Sequence, residues 1–438
     1  MSDSTLSARL RGAVEALHEE QVGFLAEMVR FPSTRGNEAP LQDWIAAQLA
    51  RRGYSVDRFT MADVPLASHP KASPMVDVDP AGSVQVAAMH RAAMPGGRSL
   101  ILQGHIDVVP AGPGAMWTYP PFAAEIHDGW MYGRGAYDMK AGVACMIFAM
   151  DALRRIGLEP AADVCVQTVT EEESTGNGAL AQLLRGYRAD ACLIPESTGE
   201  MITRAQSGAL WFRLKVAGSP VHVMQAQAGT NAILAAYDMI KALQQHTAAL
   251  NEQAKSHADF GEITDPIKFN PGVIRGGDWA SSTPAWCEVD CRIGLLPGDE
   301  VADAKAAVER VVRAAAQKDS FLANNPPEVD WIGFEADGAV LKPGSEPEML
   351  LARIHQEIHG KALEARHSTA VNDTRFYSLY YGITALCYGP DGVGPHAFDE
   401  KLRIASLKTT TLAIARFIAE WCGTAPCRQG QGCRQGQG

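Results

Sequence analysis

Acidic residues and two histidines stand where predicted strands and turns end in this chain of 438 residues. They occur in the stretches ILQGHID, GRGAYDM, TVTEEES, LIPES and GPHAFDE. In open α/β sheets, ligands bind outside the carboxyl ends of the strands, so we expect these side chains to meet at one edge of a sheet. The residues are His105, Asp107, Asp138, Glu171, Glu172, Glu173, Glu196 and His396.

This set of side chains fits a site for divalent metal ions. Three adjacent glutamates repel one another unless a cation neutralises them, and a divalent metal ion does so. Zinc binds histidine nitrogen and carboxylate oxygen, and a catalytic zinc site leaves one position open for water. A site for two ions needs a bridging carboxylate and about two further ligands per ion. The ligand set that the chain offers is His105, Asp138, Glu173, Glu196 and His396.

One carboxylate must stay free of metal to act as the general base. Glu172 stands next to the ligand Glu173, so its carboxylate can accept the proton of a water at the metal site. Asp107 follows His105 by two residues and is placed to fix the geometry of the ligands. Glu171 is interpreted as structural.

Strands and helices alternate along the parts of the chain that carry these residues. Strand-like apolar runs at 100–103, 164–169 and 191–194 alternate with helical patterns at 139–156 and 178–186. This alternation predicts an α/β unit with a mostly parallel sheet that is covered on both faces.

A different order of elements interrupts this pattern. From residue 210 to residue 334 the predicted order is strand-helix-strand-strand-helix-strand, which is the ferredoxin-like order. We therefore predict a discontinuous α/β domain at 1–205 and 341–425, and a smaller α+β domain at 206–340, called the insert below. The sequence CRQGQG occurs twice near the end of the chain. Because it lacks apolar side chains, residues 426–438 are predicted to be a disordered tail.

Composition excludes several classes of function. The net charge of −11 argues against a non-specific nucleic-acid binder, which needs a basic face. No apolar run reaches the roughly 18–20 residues of a transmembrane helix, and the N-terminus has no apolar signal core. The nine cysteines include no C-x-x-C pair, which argues against a disulfide framework or a zinc finger. We expect a cytoplasmic protein without nucleic-acid or membrane partners.

Taken together and in this order, the motifs HID, GRGAYDMKAG, TEEESTGNGAL, IPESTG and GPHAFDE resemble one enzyme family over roughly residues 10–422. It is the metal-dependent deacylase and exopeptidase family of acetylornithine deacetylase, succinyl-diaminopimelate desuccinylase, aminoacylase and bacterial glutamate carboxypeptidase. The resemblance implies a zinc-exopeptidase-like domain with two zinc or cobalt ions, manganese being a further possibility. It implies that Asp138 bridges the ions, with His105 and Glu196 on one and Glu173 and His396 on the other. The family also suggests a cis peptide bond after Asp138.

The insert resembles the lid and dimerisation domain of the same family. The resemblance implies a homodimer in which His222 reaches the partner's active site and hydrogen-bonds the oxyanion of the tetrahedral intermediate. Ser281 stands where many relatives carry an asparagine that contacts the substrate carboxylate. Arg375, in the stretch NDTRFY, is a candidate for bidentate binding of a substrate carboxylate. Arg275 and Arg292 are further candidates, with a salt-bridged surface arginine as the alternative.

The expected activity is removal of an N-acyl group from an amino acid or a related small amine. Metal-bound hydroxide would attack the amide carbonyl, with Glu172 as general base and then acid. A dipeptidase or carboxypeptidase on the same site is the alternative. A non-catalytic scaffold is a further one, although no ligand or base is lost. The pair His355 and His359 has the helical spacing of a zinc ligand pair, but no glutamate follows the first histidine, so we expect a solvated helix face.

Overall fold

The computed structural model describes residues 3–93 and 96–427. The helices are α1 (Asp3–Arg30), α2 (Ala39–Arg51), α3 (Lys140–Arg155), α4 (Asn177–Leu184), α5 (Ala232–Ala254), α6 (Val301–Ala316), α7 (Ser320–Asn324), α8 (Glu346–His359) and α9 (Ile404–Trp421). Within the described residues, no helix has both the length and the apolar character that a membrane crossing requires.

The strands follow the same chain order. They are β1 (Ser55–Thr60), β2 (Val84–His90), β3 (Leu100–His105), β4 (Glu125–His127), β5 (Trp130–Tyr132), β6 (Leu158–Pro160), β7 (Val164–Val169), β8 (Ala191–Ile194), β9 (Ile202–Gln206), β10 (Gly208–Ala217), β11 (Phe269–Gly276), β12 (Trp286–Leu295), β13 (Glu328–Ala336), β14 (Ala339–Val340), β15 (Ala365–Ser368), β16 (Thr384–Cys387), β17 (Gly392–Val393), β18 (Lys401–Arg403) and β19 (Thr424–Pro426).

The main sheet has the strand order β1-β2-β7-β3-β8-β16. Neighbouring strands from β7 to β16 are parallel, while β1 and β2 run antiparallel. Every residue of β3, β7 and β8 is buried. Such strands read as nearly continuous apolar runs because both faces of the sheet are covered. The predicted α/β class with a mostly parallel, covered sheet is confirmed.

Helices cover both faces of this sheet. On one face α3 lies between α1 and α9, and its residues from Lys140 to Met150 are all buried. The other face packs against α4 and the short segment Phe376–Tyr380, through side chains such as Leu180 and Tyr377. The helix-covered sheet is therefore a rigid base for the loops at its edge.

A second sheet has the order β11-β12-β10-β13, with every neighbouring pair antiparallel. Helices α5 and α6 pack on it, and Phe212, Leu243 and Val312 are among the buried side chains of this core. Strand β10 alternates buried and partly exposed residues, as expected for a sheet that is covered on one face. This is the predicted ferredoxin-like arrangement; the boundaries of the insert, 206 and 340, stay a prediction.

Short elements escaped the sequence analysis. Strands β4 and β5 form a hairpin that pairs with β18, and β9 pairs with both β14 and β15. Each has between two and five residues, too few to show a periodicity. Pro426 ends β19, which pairs with β6, so the predicted tail begins no earlier than residue 428. From there on it lies outside the described residues.

Candidate active site

The carboxyl ends of β3, β7 and β8 bring the predicted residues together. His105 is the last residue of β3, Glu172 and Glu173 follow β7, and Glu196 follows β8 by two residues. These strands are parallel neighbours, so their ends share one edge of the sheet. Asp138 immediately precedes Met139, the N-cap residue of α3, and the Asp138–Met139 peptide bond is cis, as the resemblance suggested.

His105 is the centre of one half of the cluster. Its Nε2 lies 3.4 Å from Asp138 Oδ1, 3.6 Å from Glu196 Oε1 and 3.8 Å from Glu172 Oε2. On its other side, Nδ1 donates a hydrogen bond to the carbonyl oxygen of Asp107 at 2.9 Å. That bond fixes the ring so that Nε2 faces the carboxylates with its lone pair.

His396 is the centre of the other half. Its Nε2 lies 3.0 Å from Glu173 Oε2 and 3.7 Å from Asp138 Oδ2. The two oxygens of Asp138 therefore face different histidines. The side chain of His396 is 53% exposed, whereas that of His105 is 1% exposed, so the cluster extends from the buried sheet edge to its mouth.

Asp107 connects the two halves through the backbone. Its Oδ2 accepts a hydrogen bond from the N–H of Glu173 at 3.0 Å. Its Oδ1 is buried and has no hydrogen-bond partner among the described residues. Asp107 therefore fixes the positions of His105 and Glu173, although other carboxylates lie closer to the rings of His105 and His396.

A residue that the sequence analysis missed positions Asp138. Glu400 accepts hydrogen bonds from the N–H groups of Gly135, Tyr137 and Asp138 at 2.9–3.1 Å, and pairs with Arg134 at 2.7 Å. Glu400 closes the motif GPHAFDE, so its place in that motif was the available signal. Glu400 positions Asp138 only because the turn that contains Asp138 folds against it, and the spacing of residues in the sequence does not indicate that contact.

Glu171 is structural, as interpreted. Arg35 binds both of its carboxylate oxygens, at 2.5 and 2.9 Å. Because Arg35 occupies both oxygens of Glu171, this residue is not available as a metal ligand, whereas Glu172 and Glu173 face the cluster.

Burial and the charges of neighbouring carboxylates raise the pKa values of the clustered carboxyl groups. Burial, with the charges of Asp138 and Glu173, raises the pKa of Glu196 to about 8. Burial likewise raises the pKa of Glu172 well above its usual value and that of Asp107 to about 8. Such groups hold protons at neutral pH unless a cation takes the place of those protons.

The pKa values of the two histidines are raised as well, which favours their charged forms. Burial opposes the charged form of His105, but the carboxylates around it outweigh burial and hold its pKa well above the usual value. Glu173 is the main reason that the pKa of His396 rises to about 9. Both rings therefore sit where positive charge is favoured.

The donor set fits divalent metal ions. Ligand atoms of His105, Asp138 and Glu173 lie within 4.8 Å of one another, as do those of His105, Glu172 and Glu196. Imidazole nitrogen with carboxylate oxygen is a set that zinc and related ions accept.

A cavity of about 740 Å³ separates the cluster from the second sheet. Arg275 and Arg292 line it, and contact with substrate stays a prediction for both. Arg292 donates to the carbonyl oxygen of Thr369 at 3.0 Å, and Arg275 lies 3.5 Å from Asp290. Arg213, which the sequence analysis missed, also lines this cavity and binds both oxygens of Asp290.

Three other candidates, His222, Ser281 and Arg375, do not line the cavity at the cluster. His222 accepts a hydrogen bond from the N–H of Met224, and the carbonyl oxygen of Ser281 accepts one from Val223. Arg375 is 1% exposed and donates to carbonyl oxygens of Asn372 and Thr175. As placed here, its guanidinium faces backbone rather than a substrate cavity.

The expectation of a solvated face for the histidine pair on α8 was wrong. His355 is 1% exposed, stacks on His359 at 4.2 Å and hydrogen-bonds the hydroxyl of Tyr388. His359 lies 3.6 Å from Glu200. Helix α8 packs against α9, and this contact buries the pair.

Comparison with known proteins identifies relatives over nearly the whole chain. A family model described as peptidase family M20/M25/M40 matches residues 101–420. An N-formyl-4-amino-5-aminomethyl-2-methylpyrimidine deformylase of Bacillus subtilis is 28% identical over 94% of this chain and 97% of that enzyme. A succinyl-diaminopimelate desuccinylase of a Bradyrhizobium strain is 26% identical over 88% of this chain and 94% of its own.

Solved structures agree in fold. A di-peptidase of Saccharomyces cerevisiae matches with a TM-score of 0.77 at 14% identity, covering 95% of this chain and 98% of its own. Human carnosine dipeptidase 1 matches with a TM-score of 0.74 at 16% identity, covering 95% and 99%.

Proposed function

This chain belongs to peptidase family M20/M25/M40 and is a metal-dependent hydrolase of amide bonds, and we propose that it removes an N-acyl group from an amino acid or a related small amine. The observation that carries the proposal is the convergence of His105, His396 and four carboxylates at the carboxyl edge of the parallel sheet. Relatives named as a deformylase and a desuccinylase support an N-acyl substrate.

Two metal ions, zinc being the best fit and cobalt or manganese the alternatives, complete this site. His105 and Glu196 would hold one ion, Glu173 and His396 the other, and Asp138 would lie between them. The separation of the two Asp138 oxygens between the two histidines supports this division. When bound, the ions polarise the amide carbonyl and lower the pKa of water.

Glu172 is the group of this chain that moves the proton. Its side chain is 7% exposed, lines the cavity next to Glu173 and has a pKa raised mainly by burial. A carboxylate with a raised pKa accepts the proton of the attacking water and returns it to the leaving nitrogen. The bond from water oxygen to the carbonyl carbon forms, the C–N bond breaks, and the amine leaves with the proton.

A second subunit completes the site in this proposal. His222 lines neither cavity at the cluster of its own chain, as expected of a donor for a partner's oxyanion. Several apolar side chains of the insert are exposed, including Met224, Leu234 and Trp279, which are 81%, 62% and 74% exposed. Exposed apolar surface marks protein–protein contacts where it is extensive, which supports a homodimer through the insert.

A dipeptidase is the second candidate. The structural neighbours named as dipeptidases share the fold, and the same cluster can hydrolyse either kind of amide. Action in the cytoplasm and closure of the insert over the cavity stay predictions.

The test is amine release from N-formyl, N-acetyl and N-succinyl amino acids and from dipeptides. We expect turnover by the zinc- or cobalt-loaded protein, none after chelation, and recovery when metal is restored. Glu172→Gln should lower turnover by about 10²–10⁴-fold while keeping its metal. Glu125→Gln, which changes an exposed glutamate on β4, should leave turnover unchanged. Release that survives both chelation and Glu172→Gln would contradict the proposal.

A further inference from the structure

A second cavity, of about 550 Å³, opens onto the same cluster. Asp138 and Glu196 line it together with Glu172, Glu173 and His396, and the last three also line the larger cavity beside the insert. The scissile amide at the cluster would therefore have space on two sides. One side faces the insert, and the other lies entirely within the α/β unit.

Arg366 on β15 lines this second cavity, called the Arg366 cavity below. Strand β15 runs parallel to β9, and the register between them shifts between Arg366 and His367. Such irregularities redirect side chains next to active sites. Thr203, the register partner of Arg366, lines the same cavity.

The charge of Arg366 has no matching carboxylate in direct contact. Its Nη1 donates to the carbonyl oxygen of Ser197 at 3.3 Å. In the part of the chain that the structure describes, this is the one hydrogen bond of the guanidinium, and no aspartate or glutamate forms an ion pair with it.

Other arginines around the cluster are paired differently. Arg35 binds Glu171, Arg134 binds Glu400 and Arg213 binds Asp290, each at 2.5–3.0 Å. Arg366 differs from them because it lines a cavity and, among the described residues, has no carboxylate partner. A guanidinium presents five donors in a planar fork that matches a carboxylate.

Ser368 adds a second donor to the wall. Its Oγ accepts a hydrogen bond from the N–H of Ala370 at 3.1 Å, which leaves the hydroxyl hydrogen free to donate. Ser368 lies two residues after Arg366 on the same short strand and lines the same cavity. The wall thus offers hydrogen-bond donors around one positive charge.

We propose that the Arg366 cavity binds a carboxylate of the substrate, so that the substrate is an N-acyl compound with an anionic group. The inference rests on the proposed function, because the cluster has to hold the amide while Arg366 holds the carboxylate. The carboxylate has two sources: the far end of a dicarboxylic acyl group, such as succinyl, or the amino acid that is released.

The experiment uses matched substrates that differ only in this charge. The acyl arm compares N-succinyl with N-butyryl on the best amine of the substrate panel. The amine arm compares one acyl group on that amine with and without its carboxylate. One of these two comparisons contains the carboxylate that Arg366 binds. In that comparison, Arg366→Gln should lower kcat/KM for the charged substrate by about 10–100-fold, mainly by raising KM.

Two control variants separate binding from general damage. Arg58→Gln removes an exposed positive charge on β1, at the opposite edge of the main sheet, and should change neither substrate. Arg366→Lys should recover part of the loss because it restores the charge without the fork. Neutral substrates should keep kcat/KM within about twofold in Arg366→Gln, and its metal content should equal that of the wild type.

A second readout does not depend on turnover. Calorimetric titration of the metal-loaded wild type with succinate against butyrate, and with alanine against ethylamine, should show a preference for one carboxylate that Arg366→Gln loses. Equal loss for charged and neutral substrates, loss of metal, or no preference for a carboxylate in either arm would overturn the proposal. If the wild type hydrolyses no substrate but binds the carboxylate through Arg366, the result contradicts the proposed reaction and supports the proposed binding site.

Discussion

Asp107 illustrates how a single residue, through its carbonyl oxygen and its carboxylate, organises the cluster without reaching its centre. Its carbonyl oxygen orients His105, and its carboxylate holds the N–H of Glu173. Groups that orient ligands are worth about 10–100-fold in metal affinity. Asp107→Ala should therefore weaken metal binding by that factor, measured by competition with a chromophoric chelator.

The control for this prediction is Asp43→Ala, which changes an exposed aspartate on α2. Its affinity for metal should equal that of the wild type. The variant keeps the carbonyl oxygen that orients His105, so an Asp107→Ala protein with unchanged affinity would show that the hydrogen bond from the N–H of Glu173 to the Asp107 carboxylate does not constrain the ligands.

Sequence analysis was most informative for residues at strand ends. His105, Glu172, Glu173 and Glu196 follow apolar runs directly, so their meeting could be expected before any coordinates. Glu400, Arg134 and Arg366 gave no such signal, because each acts through a loop or a bulge that forms only in the folded chain. Arg375 shows the converse: a polar motif in the sequence became a buried contact with backbone.

Helix α3 carries Gly142 against the loop that presents Glu196. A Cβ atom at Gly142 would lie 1.8 Å from the carbonyl oxygen of Pro195. Gly142→Ala should therefore push that loop away, cost about 1–3 kcal/mol in the free energy of unfolding and lower the metal content. Thermal unfolding and elemental analysis measure the two effects.

Gly12 on α1 is the matched control, because nothing lies within 4 Å of a Cβ atom there. Gly12→Ala should stabilise the protein by about 0.5–1 kcal/mol through helix propensity and keep the metal content. If Gly142→Ala and Gly12→Ala had the same stability and the same metal content, α3 would not constrain the loop that presents Glu196.

Helix α8 makes stability depend on pH through His355. Burial, with the nearby charges of His359 and Lys361, lowers the pKa of His355 to about 4. The unfolded chain takes up a proton near the usual value of about 6.5, so it binds more protons than the folded chain between the two values. The contribution of neutral His355 is complete above pH of about 6.5 and is lost as pH falls toward 4.

His355→Gln removes this titration and keeps a group that can hydrogen-bond Tyr388. The melting temperature of the variant should fall less than that of the wild type between pH 6.5 and 4, both values being approximate. His127→Gln, an exposed histidine on β4, should follow the wild type. Parallel curves for His355→Gln and the wild type would contradict the assignment.

At the scale of elements, long periodic segments were predictable and short ones were not. The α/β alternation and the ferredoxin-like order follow from apolar runs in β3, β7 and β10 and from helices such as α5. The hairpin β4-β5 has no apolar pattern because β4 is fully exposed. Its position is set by pairing with β18, far away in sequence.

The proposed homodimer is the feature of the whole molecule on which the active site would depend. If His222 serves a partner's site, separating the subunits should abolish turnover even though each cluster stays intact. Trp279→Asp places a charge in the exposed apolar surface of the insert, which should give a particle of 47.0 kDa instead of twice that mass by light scattering. Turnover should fall with dimer content.

Met349→Asp changes an equally apolar, 56% exposed side chain on α8, outside the insert. It should leave both mass and turnover unchanged. A wild type that is monomeric and fully active would contradict the role given to His222.

Two metal ions at one cluster are the central claim of this account. Anomalous diffraction from crystals of the zinc-loaded protein measures their number and position directly. We predict two zinc peaks, one beside His105 and Glu196 and one beside Glu173 and His396, with Asp138 contacting both. A single peak, or peaks away from these residues, would contradict the account.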